Sequence, residues 1–401
     1  MVDSPLASAG PPDLPTERLY TQQSAIHRRM QVAQDVNDIL LEIRQKPGFE
    51  DFLCAESEAS LLLAAQQGPI VVLNATALRS DAILLTKTAV QSITLLHLSH
   101  ASMRKYSGTD RLGNEVQGEF LEWLWKGAIQ PVLRELGFYP KMVDTLPRVW
   151  WIGVGLMAKA PVHAAAKFKH KRASVTTLHS CLPSYTSTIR ALQYSRSRQL
   201  QSRENRSMLI VTMPTTPGES SLSGVTAEAD GIKDSLRGRH VEILDRPTAG
   251  RALQALPSYG IAHFACHGVS EINPANSHLL LLNECATAVD RLRVRDISAL
   301  KLQAARLSYL SACSTAQSTS PKLVDEVTHM VSSFHVAGFV HVIGTIWPSQ
   351  DEACRRMAVD FYSTLSETDN VPVSYHSAIM GLMRQKPSDP MYWAPFILFG
   401  A

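Results

Sequence analysis

The chain has few cysteines, little net charge and no long apolar run. Its six cysteines are scattered, with no CxxC pair and no regular spacing, which favours a reducing, intracellular and cytoplasmic setting over a disulfide framework. The longest uncharged stretch, residues 59–78, is broken by Gly68-Pro69, so a spanning helix is excluded there. The start lacks a basic-then-apolar signal peptide. A net charge of +3 is too small to indicate nucleic acid. We therefore expect neither a membrane nor a nucleic-acid partner.

The first quarter of the chain differs in pattern from the rest. Residues 1–23 are rich in proline and poor in large apolar groups, which predicts a disordered tail. Residues 24–112 predict a helical extension, with a helix over 24–45 and short strands near 70–73 and 82–85. No repeat with a period of 20 to 50 residues is present. A long amphipathic helix is predicted over 113–136, with a kink at Pro131.

From residue 149 onward, short apolar runs alternate with helical patterns. The predicted strands cover 149–154, 208–213, 241–244, the runs within 261–268 and 307–315, 279–282, 340–347 and 396–399. The predicted helices cover 225–236, 248–256, 323–337, 351–365 and 372–385. Continuous apolar strands that alternate with helices predict an α/β fold with a mostly parallel sheet sandwiched by helices.

Two of the predicted strands stop abruptly at reactive side chains. The run within 261–268 ends at His267, and the run within 307–315 ends at Cys313, 46 residues later. Ligands bind at the carboxyl ends of strands in open α/β sheets. A histidine upstream of a cysteine by roughly 50 residues is the order found in caspase-type thiol proteases. An imidazolium beside a thiol stabilises the thiolate, so the pair predicts a Cys-His dyad.

The residues around His267 support two further predictions. Gly268 has no side chain, so its N–H can approach a substrate carbonyl, and together with the N–H of Cys313 it can form an oxyanion hole. Side chains alternate along a strand, so His263 and His267 share one direction and Cys266 takes the other. We therefore predict that Cys266 is packed inside the protein.

Other interpretations are weaker. A lone cysteine after a strand is usually a core residue and a lone histidine is usually structural, so the dyad depends on both occurring together.

The GxGxxA pattern at 153–158 is followed by Pro161, with no acidic residue near 175, which argues against a nucleotide site. His163 is expected to be a packed or hydrogen-bonded histidine. The basic run 167–172 is expected to be a solvated loop.

A metal site is also disfavoured. The candidate zinc ligands are His263, Cys266, His278 and Cys285. The first two point to opposite faces of one strand, and no CxxC knuckle is present. We predict no metal and no cofactor.

Several motifs occur in the order seen in one family. They are His267-Gly268, SACSTA at 311–316, Asp325-Glu326 before an apolar helix, AGF at 337–339, IGTIWP at 343–348 and YWAPF at 392–396. Upstream pieces are EWLW at 122–125 with PVL at 131–133, PVHAA at 161–165 and SYTST at 184–188. Together they resemble the CHAT domain, a relative of caspases and separase among cysteine peptidases. The resemblance covers residues 113–401, with the catalytic caspase-like half at 206–401.

This resemblance implies a function. His267 would be the general base and acid, Cys313 the nucleophile, and a protein or peptide the substrate. Asp351 would receive a basic substrate side chain; alternatively it is an ordinary helix N-terminal carboxylate. Family members often carry upstream helical repeats that bring in a partner, and no such pattern is found here, although a regulatory protein partner stays open. The alternative function is a catalytically silent interaction or regulatory module.

Overall fold

The structure is a computed structural model that describes most of the chain. The described residues are 15–50, 52–106, 114–139, 145–202, 205–236, 238–269, 271, 273–300, 302–311 and 330–401. By packing, residues 1–57 form one compact unit and residues 58–401 form another. Cys313 and Asp325-Glu326 lie outside the described residues.

The helices and strands follow the predicted alternation. The α-helices are α1 Pro15–Arg44, α2 Glu58–Ala64, α3 His100–Tyr106, α4 Asn114–Leu124, α5 Gln130–Glu135, α6 Ile189–Ser202, α7 Val225–Ser235, α8 Ala249–Ala255, α9 Val294–Ala299, α10 Met330–Val336, α11 Asp351–Thr368, α12 Val371–Gln385 and α13 Pro390–Trp393. The strands are β1 Ile70–Ala75, β2 Ser80–Leu85, β3 Val90–Thr94, β4 Arg148–Gly153, β5 Ala166–Lys169, β6 Arg172–Thr176, β7 Leu182–Tyr185, β8 Met208–Thr212, β9 Val241–Asp245, β10 Ile261–Ala265, β11 Gly268–Val269, β12 His278–Leu282, β13 Val289–Arg293, β14 Leu307–Leu310, β15 His341–Thr345 and β16 Phe396–Gly400.

An eleven-stranded sheet forms the centre of unit 58–401. Its order is β3-β2-β1-β4-β7-β16-β15-β14-β10-β8-β9. The strands β15, β14, β10, β8 and β9 run parallel to their neighbours, whereas β16 is antiparallel to β15. Strands β8, β10, β14 and β15 are buried along their whole length, as expected when helices cover both faces. The predicted α/β fold with a mostly parallel, helix-sandwiched sheet is therefore confirmed.

Helices cover both faces of this sheet. One core lies between the sheet and α8, α9 and α10, with buried side chains such as Phe264 and Phe334. The other lies between the sheet and α7, α11 and α12, with Tyr309, Phe361 and Tyr375. Because each strand alternates its side chains between the two cores, the direction of a residue on β10 decides which helices it contacts.

The N-terminal extension contributes to the same sheet. β1 pairs parallel with β4, and the antiparallel strands β2 and β3 continue outward from β1. In the other unit, α1 begins at Pro15 rather than near residue 24, so its backbone is helical over part of the segment predicted to be disordered. The boundaries drawn from the sequence at 23 and 112 stay predictions.

The predicted long helix over 113–136 is interrupted. Between α4 and α5, residues Trp125–Ile129 form a π-helical turn, and the N–H of Gln130 bonds to the carbonyl of Trp125. Pro131 has no N–H to donate and its ring would clash with the carbonyl four residues earlier, so a wider turn before it relieves the conflict. The expected kink is thus realised as a π-turn just ahead of the proline.

Two small sheets lie beside the main one. β11, β12 and β13 form an antiparallel sheet, and β5 and β6 form a hairpin. The basic run 167–172 belongs to this hairpin and turns at His170 and Lys171, both with positive φ. The run is mostly exposed, as predicted, but it is strand and turn rather than an irregular loop.

No described helix combines the length and apolar character that a bilayer crossing requires.

Candidate active site

Three neighbouring parallel strands bring the candidate residues toward one edge of the sheet. β14 lies between β10 and β15, with Ile261 level with Leu307 and Phe264 level with Leu310. The N–H of Ser311 donates to the carbonyl of Phe264 at 2.9 Å, which extends the pairing one residue past β14. The segments that follow β10 and β15 therefore emerge at the same edge. They carry His267 after β10 and Asp351 after β15.

His267 is partly exposed and one of its ring nitrogens is fixed. Its Nε2 lies 2.8 Å from the backbone carbonyl oxygen of Ser220. A carbonyl oxygen only accepts hydrogen bonds, so Nε2 carries the proton and donates. In the neutral ring this leaves the lone pair on Nδ1. The carbonyl of His267 accepts from the N–H of Leu280 at 2.9 Å, so the backbone at His267 is also held.

The other residues predicted for the dyad and oxyanion hole are described in part. Gly268 opens β11, is partly exposed and pairs with Leu279 of β12. Cys313 lies outside the described residues, two positions beyond Ser311. The nucleophile and the oxyanion hole therefore stay predictions.

Asp351 is exposed at the first position of α11. Its Cβ is close to Gly224, where an added Cβ would lie 3.5 Å from it. Gly224 ends the loop that carries Ser220 and begins α7. Asp351 thus lies near the loop that holds His267. Its place in the first helical turn, followed by Glu352, also fits the simpler helix-terminal interpretation.

Cys266 faces away from this edge, as predicted. It is fully buried in the core that contains Phe264, and burial raises the pKa of its thiol. A thiol held in its neutral form in an apolar core is a poor nucleophile. The prediction that Cys266 is packed inside the protein, drawn from the alternation of side chains along the strand, is confirmed.

A buried polar cluster on the opposite side of β10 was not predicted. The Nε2 of His263 lies 3.1 Å from Oε1 of Glu228 on α7, and its Nδ1 lies 3.3 Å from the hydroxyl of Tyr362 on α11. The ring of Tyr309 packs 4.8 Å from that of His263. Burial, and then the Glu228 carboxylate, raise the pKa of both tyrosines. The cluster ties α7 and α11 to β10.

A sequence signal for this cluster existed. The buried positions of α7 are Val225, Glu228, Ala229 and Ile232, which is helical spacing for one face. A carboxylate on an apolar helix face needs a buried partner. The partner itself, His263, could not be chosen from the sequence because it depends on how α7 lies on the sheet.

The remaining candidates have structural surroundings. His163 is fully buried, with Nδ1 2.7 Å from the Tyr185 hydroxyl and Nε2 3.0 Å from the Ala394 carbonyl, so the predicted packed histidine is confirmed. Burial lowers the pKa of His163 to about 3. Gly153 ends β4 and is followed by a short 3-10 helix, Gly155–Lys159, rather than the α-helix of a nucleotide site. No three potential metal ligands cluster within the described ranges.

Comparison with known families identifies the family of this chain. Residues 118–401 match the family model described as the CHAT domain. The chain belongs to the CHAT domain family. The match covers the eight strands from β4 onward in the main sheet, and it includes His267, Cys313 and Asp351.

Solved structures share the fold of this CHAT domain at low sequence identity. Two structures of the Saccharomyces cerevisiae separase–securin complex match with TM-scores of 0.55 and 0.57, at 12% and 10% identity. Each match covers 86% of this chain but only 31% and 30% of the other chain. The gingipain RgpB of Porphyromonas gingivalis matches with a TM-score of 0.45 and 13% identity, over 74% of this chain and 76% of that one. The two separase matches show a caspase-like fold. No curated protein matches the chain.

Proposed function

We propose that this CHAT domain is a cysteine endopeptidase with Cys313 as nucleophile and His267 as base. The supporting observation is the fixed ring of His267, which follows β10 and has its Nε2 held by the Ser220 carbonyl. The parallel neighbour β14 ends at Leu310, three residues before Cys313. A nucleophile and an oriented base at adjacent strand ends are the arrangement that activates a thiol.

The proposed reaction follows from the ring tautomer. Nδ1 of His267 takes the proton of the Cys313 thiol, and the thiolate attacks the scissile carbonyl carbon. The N–H groups of Gly268 and Cys313 stabilise the resulting oxyanion. Nδ1–H then gives its proton to the leaving amine, and a thioester remains on Cys313. Water, deprotonated by the same Nδ1, then attacks the thioester carbon. The C–S bond breaks, the acid is released, and Nδ1–H returns its proton to the Cys313 thiolate.

We propose a protein or peptide substrate with a basic side chain next to the cleaved bond. Asp351, exposed on α11 beside the Ser220 loop, supplies the carboxylate for this side chain. A carboxylate and a guanidinium form charge-assisted hydrogen bonds, which favour arginine over neutral residues.

A regulatory protein partner and an intracellular setting complete the proposal. The yeast structures that share the fold are complexes of separase with securin, which supports a protein partner by analogy. Cys181, Cys266 and Cys285 are free thiols. Free thiols persist in a reducing compartment.

The test is labelling by a peptide with an electrophilic ketone after an arginine. Such a probe requires an activated thiol, so wild-type protein should be labelled and Cys313→Ala should not. The matched control is Cys285→Ala, because Cys285 is an exposed free thiol that would dominate any unspecific alkylation. We expect C285A to be labelled like the wild type.

The outcomes separate the two functions. Equal labelling of C313A and wild type would refute Cys313 as the nucleophile. Absence of labelling in both, together with no cleavage of a peptide library, would leave the silent interaction module as the better description.

A further inference from the structure

A polar cavity lies at the sheet edge opposite His267. Its volume is about 260 Å³, and its lining includes Arg306, which precedes β14, and His341, which opens β15. Both positions are at the amino ends of strands that run parallel to β10. His267 follows the carboxyl end of β10. The cavity is therefore separate from the proposed active site.

Arg148 brings an uncompensated positive charge to this cavity. Its Nε donates to the Ser184 hydroxyl at 2.9 Å and its Nη2 to the Gly400 carbonyl at 3.1 Å. Its guanidinium also lies 4.4 Å from the ring of Trp150. Burial, and then the nearby Arg196, hold the pKa of Arg148 well below its usual value; because arginine keeps its proton in proteins, the charge remains but is destabilised. All of its partners in the described ranges are neutral, so the charge is left without a carboxylate.

Further arginines share a single acidic residue. Asp369 lines the cavity, and its Oδ1 lies 2.6 Å from Nη1 of Arg306. Its Oδ2 lies 2.9 Å from Nη2 of Arg206. Arg306 also donates to the backbone carbonyl of Asp369 at 2.8 Å. One carboxylate thus faces two guanidiniums, and with Arg148 the described surroundings of the cavity carry an excess of positive charge.

His341 supplies an unused hydrogen-bonding atom. The residue is 4% exposed and lines the cavity, and its Nδ1 is buried with no hydrogen-bond partner among the described atoms. Burial, and then Arg148 and Arg306, hold its pKa well below the usual value, so the ring is neutral. A buried polar nitrogen without a partner is costly. A ligand that forms a hydrogen bond with Nδ1 would remove that cost.

The amino end of α12 forms another wall. Asn370, Val371 and Pro372 line the cavity, and Oδ1 of Asn370 caps the helix by accepting from the N–H of Val373. The helix is 15 residues long. Its N-terminus carries partial positive charge and favours anions, but Pro372 has no N–H and the N–H of Val373 is taken by Asn370, so this wall supplies charge rather than a row of donors. This contribution adds to Arg148 and His341 and does not depend on them.

We propose that this cavity binds a small phosphate-class anion. Arg148 and His341 would hold the phosphoryl oxygens, and the N-terminus of α12 and Arg306 would add favourable charge. Asp369 opposes an anion, but both of its oxygens are already bound by arginines. The volume exceeds the need of a single phosphate group, so free phosphate and a small organic phosphomonoester share the required chemistry.

The test is isothermal titration calorimetry of the full chain at constant ionic strength. Inorganic phosphate and glycerol phosphate are titrated in parallel, with sodium chloride as the screening control. We expect saturable binding of at least one phosphate compound and none of chloride. Tighter binding of glycerol phosphate would assign the site to an organic phosphomonoester, and tighter binding of inorganic phosphate would assign it to the free ion.

Substitutions of the lining residues test whether phosphate binds in this cavity. Arg148→Met and His341→Phe should each weaken phosphate binding by roughly tenfold, because the first removes a charged donor and the second an unpaired ring nitrogen. His341→Phe keeps an aromatic ring of similar size, so it tests the site even if Arg148→Met does not fold. Arg251→Gln is the control, since Arg251 is exposed and paired with Glu242 elsewhere. Absence of saturable phosphate binding, or equal binding in wild type and H341F, would overturn the proposal.

Discussion

The Nε2 of His267 donates a hydrogen bond to the backbone carbonyl of Ser220, 2.8 Å away, across 47 residues of sequence. A main-chain acceptor fixes the tautomer without depending on the identity of the side chain at 220. The loop that carries Ser220 continues through Gly224 into α7. Glu228 of α7 also contacts His263 of β10. The Ser220–His267 hydrogen bond and the Glu228–His263 contact therefore both connect α7 and the loop before it to β10 and the segment after it.

We predict that His267→Ala abolishes peptidase activity without unfolding the protein. General acid–base catalysis contributes about 10²- to 10⁴-fold, so kcat/KM should fall by at least roughly 10²-fold. The measurement is cleavage of a fluorogenic peptide, with circular dichroism to verify the fold. His240→Ala, an exposed histidine, is the control and should retain full activity. Unchanged activity of H267A would show that another group is the base.

We predict that Cys266→Ala costs stability and spares catalysis. Cys266 is fully buried beside Phe264, so removal of its sulfur leaves a small void and should cost about 1 kcal/mol. Urea denaturation measures the loss, and probe labelling at Cys313 should persist. A well-folded C266A protein that is no longer labelled would contradict the assignment of Cys266 to the core.

We predict that Glu228→Ala destabilises the protein strongly. The substitution leaves His263 buried without its partner, and the loss of one member of a buried polar pair costs about 3 kcal/mol. Glu228→Gln, which keeps the size of the side chain and a polar atom beside the ring, should cost less. The comparison variant is Glu219→Ala, whose carboxylate is exposed in the preceding loop. Equal unfolding free energies for E228A and E219A would show that the pair contributes nothing.

We predict that His163 contributes to acid destabilisation. Its pKa falls from 6.5 to about 3 on folding because burial disfavours the charged ring. The unfolded chain therefore binds a proton that the folded chain does not, and the contribution of His163 is complete above pH 6.5 and declines as the pH falls toward 3. In His163→Gln, the slope of unfolding free energy against pH should decrease by about 1.4 kcal/mol per pH unit near pH 5.

The control for this slope is Tyr185→Phe. It removes the hydroxyl that contacts His163 but keeps the titrating ring, so stability should fall while the pH slope is kept. His335 and His341, whose pKa values are also lowered by burial, maintain part of the slope in every variant. An identical slope in H163Q and wild type would contradict the prediction.

We predict that Asp351→Asn reduces the preference for a basic residue beside the cleaved bond. Loss of one charge-assisted contact should lower the ratio of cleavage after arginine to cleavage after methionine by roughly tenfold. Glu352→Gln is the matched control, because Glu352 occupies the same helical turn. If both variants lose only stability, and by similar amounts, Asp351 is a helix-terminal carboxylate and not a specificity residue.

The sequence predicted the central strands because their information is local. β8, β10 and β15 are continuous apolar runs, and the structure buries each on both sides. The alternation of side chains along β10 likewise placed Cys266 and His263 on opposite faces. Such features depend only on neighbours along the chain.

The missed features all depend on contacts between distant segments. The Ser220 carbonyl has no sequence signature, since every residue carries one. The partner of Glu228 is set by how α7 lies across β10, and the cavity at Arg148 and His341 gathers residues from separate strands. The small sheet of β11, β12 and β13 depends on β13, whose sequence, Val-Asp-Arg-Leu-Arg at 289–293, has neither an apolar run nor strict alternation.

Strand β16 is the sixth of eleven, with five strands on either side. Its residues, 396–400, are translated after every other strand of the sheet, yet they bridge β7 and β15. During synthesis the ribosome must therefore release the chain through residue 400 before the two groups of strands can pair through β16, and until then each group has an unpaired edge strand. Nascent chains stalled before residue 396 should consequently be prone to capture by chaperones or to mispairing at those edges.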